Sequence, residues 1–189
     1  MSNVYEECPV ISNDRWQLRF VRKEDAEDLL SVYSDKNALP FFNSDNCDGD
    51  NFYYPTIEKM NSALDFWLYS YRDRWFVRWA IVDRKTGKAI GTIELFRRIS
   101  DDETDGMGTL RLDVRSDYEN AEDLTDILNL IIPEAYDLFE CDAVITKVPV
   151  YAVERIKAAT DAGFRKTDII LYGDDGTAYN NYWKIERAE

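Results

Sequence analysis

The stretch from Thr109 to Val148 most constrains how this chain folds. "TLRLDV" (109–114) alternates strictly, with Leu110, Leu112 and Val114 on one face, as a half-buried strand does. "DAVITKV" (142–148) is a second β-rich run. Between them Leu124, Ile127, Leu128, Ile131, Ala135 and Leu138 recur at three and four, the spacing of one helix face. A strand–helix–strand crossover predicts a parallel strand pair. Just upstream, "FVRWAIVD" (76–83) and "AIGTIELFRR" (89–98) are joined by "RKTGK", whose Gly87 suits a turn with positive φ. That predicts an antiparallel hairpin, so one sheet has to hold both kinds of pairing.

The remaining elements fit around this unit. "WQLRFV" (16–21) reads as a first strand, and "RKEDAEDLLSVYSD" (22–35) as a helix through Ala26, Leu29, Leu30 and Tyr33. A polar, aromatic-rich loop follows at 37–55. The next helix, 56–75, places Ile57, Met60, Leu64, Trp67, Leu68 and Tyr71 on one face, with Thr56 as its N-cap. "DDETDGMG" (101–108) is an acidic linker. A last helix, 151–164, is ended by Gly163. "KTDIILYG" and "YNNYWKIE" close the chain as two strands around a "DDG" turn. The order β-α-α-β-β-β-α-β-α-β-β predicts an α+β class. The chain's 189 residues suit one domain, 1–189, with 1–15 as an N-terminal extension.

Composition removes several function classes. Thirty-seven Asp and Glu against 23 Lys and Arg give a net charge of −14. Nucleic acids and anionic membranes both need a basic face, so neither is expected as a partner. The balance favours cationic or neutral ligands. There is no histidine, which removes the commonest general base, every Ser-His or Cys-His dyad and most catalytic zinc sites. Cys8, Cys47 and Cys141 are far apart and read as free thiols in a reducing cytoplasm. "MSNVYEECPVISNDRW" has acids and no apolar core, so it does not read as a signal peptide. No apolar run approaches a membrane span. Neither acidic loop matches a calcium loop: with Gly49 in sixth place the twelfth is Pro55, and the "DDETDG" run puts Leu112 there.

Two local strings, together with the element order, carry a resemblance. "WAIVDRKTGKAIGTIELF" (79–96) and "AATDAGFRKTD" (158–168) resemble the central hairpin and the helix-Gly-Phe ending of the GNAT acetyltransferases. The branch with the ribosomal-protein N-terminal acetyltransferases is the most alike. The resemblance covers about residues 16–186. It implies a central mixed, mostly antiparallel sheet of six to seven strands flanked by about four helices, an acetyl-CoA donor and an amine acceptor on a small molecule or peptide. It also implies that the strand "TLRLDV" splays from its parallel neighbour and that pantetheine pairs with its backbone, at Leu112 and Val114, with the Val114 N–H as oxyanion donor.

The next turn departs from the family. Such members carry Arg/Gln-x-x-Gly-x-Gly/Ala there, and its N–H groups bind the pyrophosphate. The matching cofactor positions here are Glu119, Asn120, Ala121, Glu122, Asp123 and Leu124. Acids in a helix's first turn already satisfy its positive end and repel a phosphate. The stretch therefore reads either as an ordinary helix start capped by Asn120 or as an unusual cofactor pose, with Arg155 or Lys157 as alternative phosphate ligands. The family's general-acid tyrosine is replaced by Ala159.

The candidate catalytic residues are Glu94, as base, and Asp113, as a holder of a cationic substrate. Against these stand a solvated outward-facing Glu94 and a surface ion pair of Asp113 with Arg111 or Arg115. Tyr118, Tyr151 and Tyr172 are further hydroxyls. The loop "FFNSDNCDGDNFYY" (41–54), with Asp45, Asp48 and Asp50, reads as a receiver of a cation or as a solvated lid. Two functions stay open: acetyl transfer from acetyl-CoA to a primary amine, and a non-catalytic binding module on the same fold. Edge strands and aromatics leave a homodimer open.

Overall fold

A computed structural model describes residues 3–188. In chain order its elements are β1 (Ile11–Ser12), β2 (Trp16–Phe20), α1 (Ala26–Tyr33), α2 (Ile57–Arg72), β3 (Val77–Asp83), β4 (Lys88–Arg97), β5 (Gly108–Val114), α3 (Ala121–Leu138), β6 (Ala143–Lys147), α4 (Val153–Asp161), β7 (Arg165–Lys166), β8 (Leu171–Tyr172), β9 (Ala178–Tyr179) and β10 (Tyr182–Glu186). The main sheet runs β1-β2-β3-β4-β5-β6-β10-β7, and β8 pairs with β9 apart from it. Only β5 and β6 run parallel in it; every other pair is antiparallel. The mixed, mostly antiparallel sheet and its four helices match expectation.

Strand alternation builds the two faces. Val77, Trp79 and Ile81 of β3 join the cluster under α3 and α4, while Ala80 and Val82 join the cluster under α1 and α2. All seven residues of β3 are buried, as befits a strand covered on both sides. Each such large apolar side chain contributes about 1.5–3 kcal/mol. The hairpin of β3 and β4 forms as read from sequence, with Gly87 at φ +71° in its turn. Gly91 has a separate role. A Cβ there would lie 2.1 Å from the Asp113 carbonyl oxygen and 2.9 Å from the Val114 Cα, so only glycine lets β4 approach β5. The sequence also passes Pro133 inside α3 without breaking the helix. Burial of Ile131, Ile132, Ala135 and Tyr136 around it offsets the lost hydrogen bond.

The strand count differs from expectation. The main sheet has eight strands, because Ile11–Ser12 and Arg165–Lys166 each add a two-residue edge. "KTDIILYG" is not one strand. Both the N–H and the hydroxyl of Thr167 donate to the Tyr182 carbonyl, at 3.2 and 2.7 Å, and the chain then leaves the ladder. It returns as β8 in a small hairpin, with Ile169 and Leu171 packed on Ile145 and Tyr182. The N-terminal segment is tied down: Tyr71 donates to the Val4 carbonyl at 2.8 Å and Trp79 to the Pro9 carbonyl at 3.0 Å. No helix among the described residues is long and apolar enough to cross a membrane.

The splay that positions the site is present. Parallel pairing of β5 with β6 covers Gly108–Val144, Thr109–Ile145 and Leu110–Thr146, and then stops. Beyond it β5 continues through Leu112, Asp113 and Val114, held only by β4.

Candidate functional site

The gap between the diverging ends of β5 and β6 is filled by a side chain. Arg155, in the first turn of α4, is 7% exposed. Its Nη1 donates to the Leu112 carbonyl at 2.7 Å, and its Nε and Nη2 reach the two Glu119 carboxylate oxygens at 2.5 and 2.9 Å. Phe41 covers the guanidinium, 5.8 Å from the ring centroid. What remains between Leu112, Leu124, Val148, Arg155 and Ala159 is a cavity of about 20 Å³, the size of one water.

The start of α3 is closed in the same way. The Ala121 N–H donates to Glu154 Oε2 at 2.8 Å, and the Asp123 N–H donates to the Asn120 side chain at 3.0 Å. The Leu124 N–H is taken by the Asn120 carbonyl, as in any helix. The Asp123 carboxylate pairs with Arg15 and accepts from the Asn120 amide. Leu124 is buried, and Glu122 is exposed at the helix start. Asn120 is thus the cap expected from sequence, and the helix's positive end is satisfied by the chain's own carboxylates. Arg155 is buried and holds Glu119, while Lys157 is exposed and pairs at the surface with Asp161 at 2.5 Å.

The other side of β5 carries a buried polar network. Glu94, on β4, is 1% exposed rather than outward-facing, and both its oxygens are paired, one with Arg78 and one with Arg111. Burial alone would raise its carboxyl, but the two guanidiniums hold it below the usual carboxylate range. A carboxylate held low is a weak proton acceptor. Asp113 is fully buried and makes no surface ion pair, because Arg111 is turned to Glu94 and Arg115 to Asp117. Its Oδ2 accepts from the Tyr33 hydroxyl at 2.9 Å and lies 3.6 Å from Arg78 Nη1, while Oδ1 has no partner. Burial pushes the Asp113 carboxyl up, against the pull of Arg78 and Arg155. Thr92 completes the group through Tyr33 and Arg78.

The loop at 41–54 does receive a cation, and the cation belongs to the chain. Lys147, at the end of β6, donates to both oxygens of Asp45 at 2.6 Å. The Tyr182 hydroxyl adds a bond to Asp45 at 3.0 Å, and Arg111 holds the Asp45 carbonyl at 2.7 Å. Asp50 turns inward on its own loop, accepting from Tyr54 at 2.7 Å. The remaining candidate hydroxyls are occupied or remote. Tyr118 donates to Asp83 at 3.0 Å, Tyr151 to the Pro40 carbonyl, and Tyr172 is half-exposed on the outer hairpin. Val114 is buried in register with Gly91. Sequence reasoning missed Tyr33, Arg78, Lys147 and Tyr182. Of these Arg78 and Lys147 left a signal, each as a charge within an otherwise apolar strand run.

No protein-family model matches the chain. Among curated proteins it is similar to an uncharacterized N-acetyltransferase, YoaA, of Bacillus subtilis (strain 168), at 27% identity over 85 residues. That match spans 45% of this chain and 44% of the relative, less than half of its length. Among solved structures it is similar to a ribosomal-protein-S5-alanine acetyltransferase from Vibrio fischeri, at 15% identity and a TM-score of 0.69, covering 95% of this chain and 97% of that one. It is similar to a GNAT-family acetyltransferase from Bacillus anthracis, at 10% identity and a TM-score of 0.67, covering 94% and 98%. A third likeness is to the microcin C7 self-immunity acetyltransferase MccE, solved with acetyl-CoA and AMP, at 17% identity and a TM-score of 0.66, covering 92% and 93%. The chain has the fold of the GNAT acetyltransferases, as its sequence implied. The residues present do not fit acetyl-CoA as the resemblance would place it: Glu119 stands at the position of the turn's basic residue, and the Arg155 guanidinium already takes the Leu112 carbonyl.

Proposed function

We propose that this chain is an N-acetyltransferase-like protein that recognises an amine, of a small molecule or a peptide, on the acceptor side of the fold, without taking acetyl-CoA into the donor gap. The observation that carries the reading is Arg155. It bonds the Leu112 carbonyl, the backbone group pantetheine would use, and it neutralises Glu119, which replaces the turn's basic residue. The same helix start that would cradle phosphates is capped by Glu154 and Asn120. Glu94 and Asp113 then serve the acceptor side as buried anchors: Glu94 fixes Arg78 and Arg111, and Asp113 fixes Tyr33. The three cysteines are unpaired, in keeping with a cytoplasmic setting.

A second reading, acetyl transfer from acetyl-CoA to a primary amine, is favoured by the retained splay of β5 from β6 and by the likeness to acetyltransferases over nearly the whole chain. It requires Arg155 to leave both of its partners. Mass spectrometry of a panel of primary amines and peptides, incubated with the protein and acetyl-CoA, separates the two. The first reading expects no protein-dependent acetylated product. Catalytic turnover on any of them overturns it and establishes the second.

A further inference from the structure

A pocket of about 350 Å³ lies between the 46–54 loop, the end of α2 and the outer part of β3 to β5. That volume is at the small end of ligand sites. Its lining carries four carboxylates, Asp48, Asp50, Glu94 and Asp174, against two guanidiniums, Arg78 and Arg111. Both guanidiniums are spent on Glu94 at the floor, so the surplus charge is the negative rim. Asp48 and Asp174 are exposed there. An anionic ligand meets this rim, and the chain's net charge of −14, with the wrong sign.

The walls are aromatic, and part of that aromatic surface is open. Phe66 is 51% exposed and Trp75 52%, with ring centroids 6.2 Å apart. Tyr69 extends the patch, edge-on to Trp75 at 5.5 Å. Deeper in, the walls already hold a flat cation: the Arg78 guanidinium lies 4.1 Å from the Trp67 ring centroid and 5.6 Å from that of Phe52. The ring faces in this pocket therefore meet positive charge in the chain itself, while the outer pair presents the same chemistry to solvent. Exposed aromatics next to exposed carboxylates are matched by one ligand class.

We propose that this pocket takes a small organic cation with an aromatic body, its ring against Phe66 and Trp75 and its ammonium toward Asp48 and Asp174. The proposal rests on the reading that the acceptor side receives an amine, and it names the class of that amine. A cationic peptide is the competing occupant; the small volume, about 350 Å³, favours the small molecule.

The test is isothermal titration of the full chain with 2-phenylethylammonium, with 2-phenylethanol, methylammonium and 3-phenylpropionate as probes of charge and body. The expected result is saturable binding of 2-phenylethylammonium, with the alcohol and methylammonium at least tenfold weaker and the propionate silent. Trp75→Ala and the double variant Asp48→Asn, Asp174→Asn should each weaken it about tenfold, the double variant with an unchanged melting temperature, since both carboxylates are exposed. Equal binding of alcohol and ammonium, or preference for the propionate, overturns the proposal. Methylammonium binding as tightly as 2-phenylethylammonium sinks the aromatic body and leaves the amine reading standing. If no amine binds, the amine reading falls with it. A short cationic peptide binding far more tightly than 2-phenylethylammonium also refutes the small-molecule claim.

Discussion

Replacing Arg155 by alanine tests whether the donor gap is filled by a structural ion pair. The Arg155 and Glu119 side chains are 8% and 6% exposed, so little solvent screens them. The substitution leaves both Glu119 oxygens and the Leu112 carbonyl without their donor. Breaking a buried pair from one side costs roughly 3–5 kcal/mol, because the remaining charge stays desolvated. For a chain of this size each kcal/mol lowers the melting temperature by about 2–4 °C, so the expected fall is roughly 6–20 °C. The double variant Arg155→Met, Glu119→Leu replaces the pair by apolar groups of similar volume. It should recover most of that loss, leaving about 1–3 kcal/mol for the Leu112 carbonyl that still lacks its donor, which makes the two positions strongly non-additive. Urea unfolding monitored by circular dichroism measures all three proteins. A cost below about 1 kcal/mol for Arg155→Ala would refute the reasoning, since it would mean that the pair is solvated and the gap open.

Three further outcomes follow from the acceptor side. Glu94→Gln removes the buried charge that pairs Arg78 and Arg111 and should cost about 3–5 kcal/mol at pH 7. Because the folded-state pKa of Glu94 is depressed, its contribution is present above the unfolded value of about 4.3 and is lost as pH falls through the folded one, so the gap to the parent should narrow in acid; a pH-independent gap contradicts this. Asp113 has the opposite sign. Its raised folded pKa gives stability that is complete below about pH 3.9 and is lost as pH rises through the folded value. Asp113→Asn, which keeps an acceptor for Tyr33, should therefore gain on the parent as pH rises above about 4, and urea midpoints that stay parallel as pH rises would sink the assignment. Asp45→Ala frees Lys147, Tyr182 and the loop from one another, and should speed proteolysis at residues 46–51; an unchanged cleavage rate means the clamp does not hold the loop.

The fold was legible because its determinants are local. Strict alternation in 109–114, the three-and-four repeat after it and the Gly87 turn fix the parallel pair and the hairpin without reference to anything distant. The caps at Thr56 and Asn120 were legible for the same reason. Short edges were not: two-residue strands such as Ile11–Ser12 and Arg165–Lys166 have no periodicity to read. The site was half legible. Glu119 in place of a basic residue announced an altered turn, but its partner lies 36 positions away on another helix, and sequence spacing carries no trace of such a pair. Glu94 was picked out by type and place, yet its burial between Arg78 and Arg111 is set by three adjacent strands. Asp45 was read as a receiver of an external cation because its pairing with Lys147, 102 residues on, is invisible to local reasoning.

The most direct measurement of the central claim is the melting temperature of the parent protein with and without 1 mM acetyl-CoA. A filled gap and a carboxylate-capped helix start predict no shift beyond about 1 °C. A cofactor held at about 10 μM sits at 100 times its dissociation constant and stabilises by about 2.7 kcal/mol, or roughly 5–11 °C at this chain length. A shift of that size would contradict the account: Arg155 would then yield to pantetheine, and the chain would be a donor-binding acetyltransferase after all.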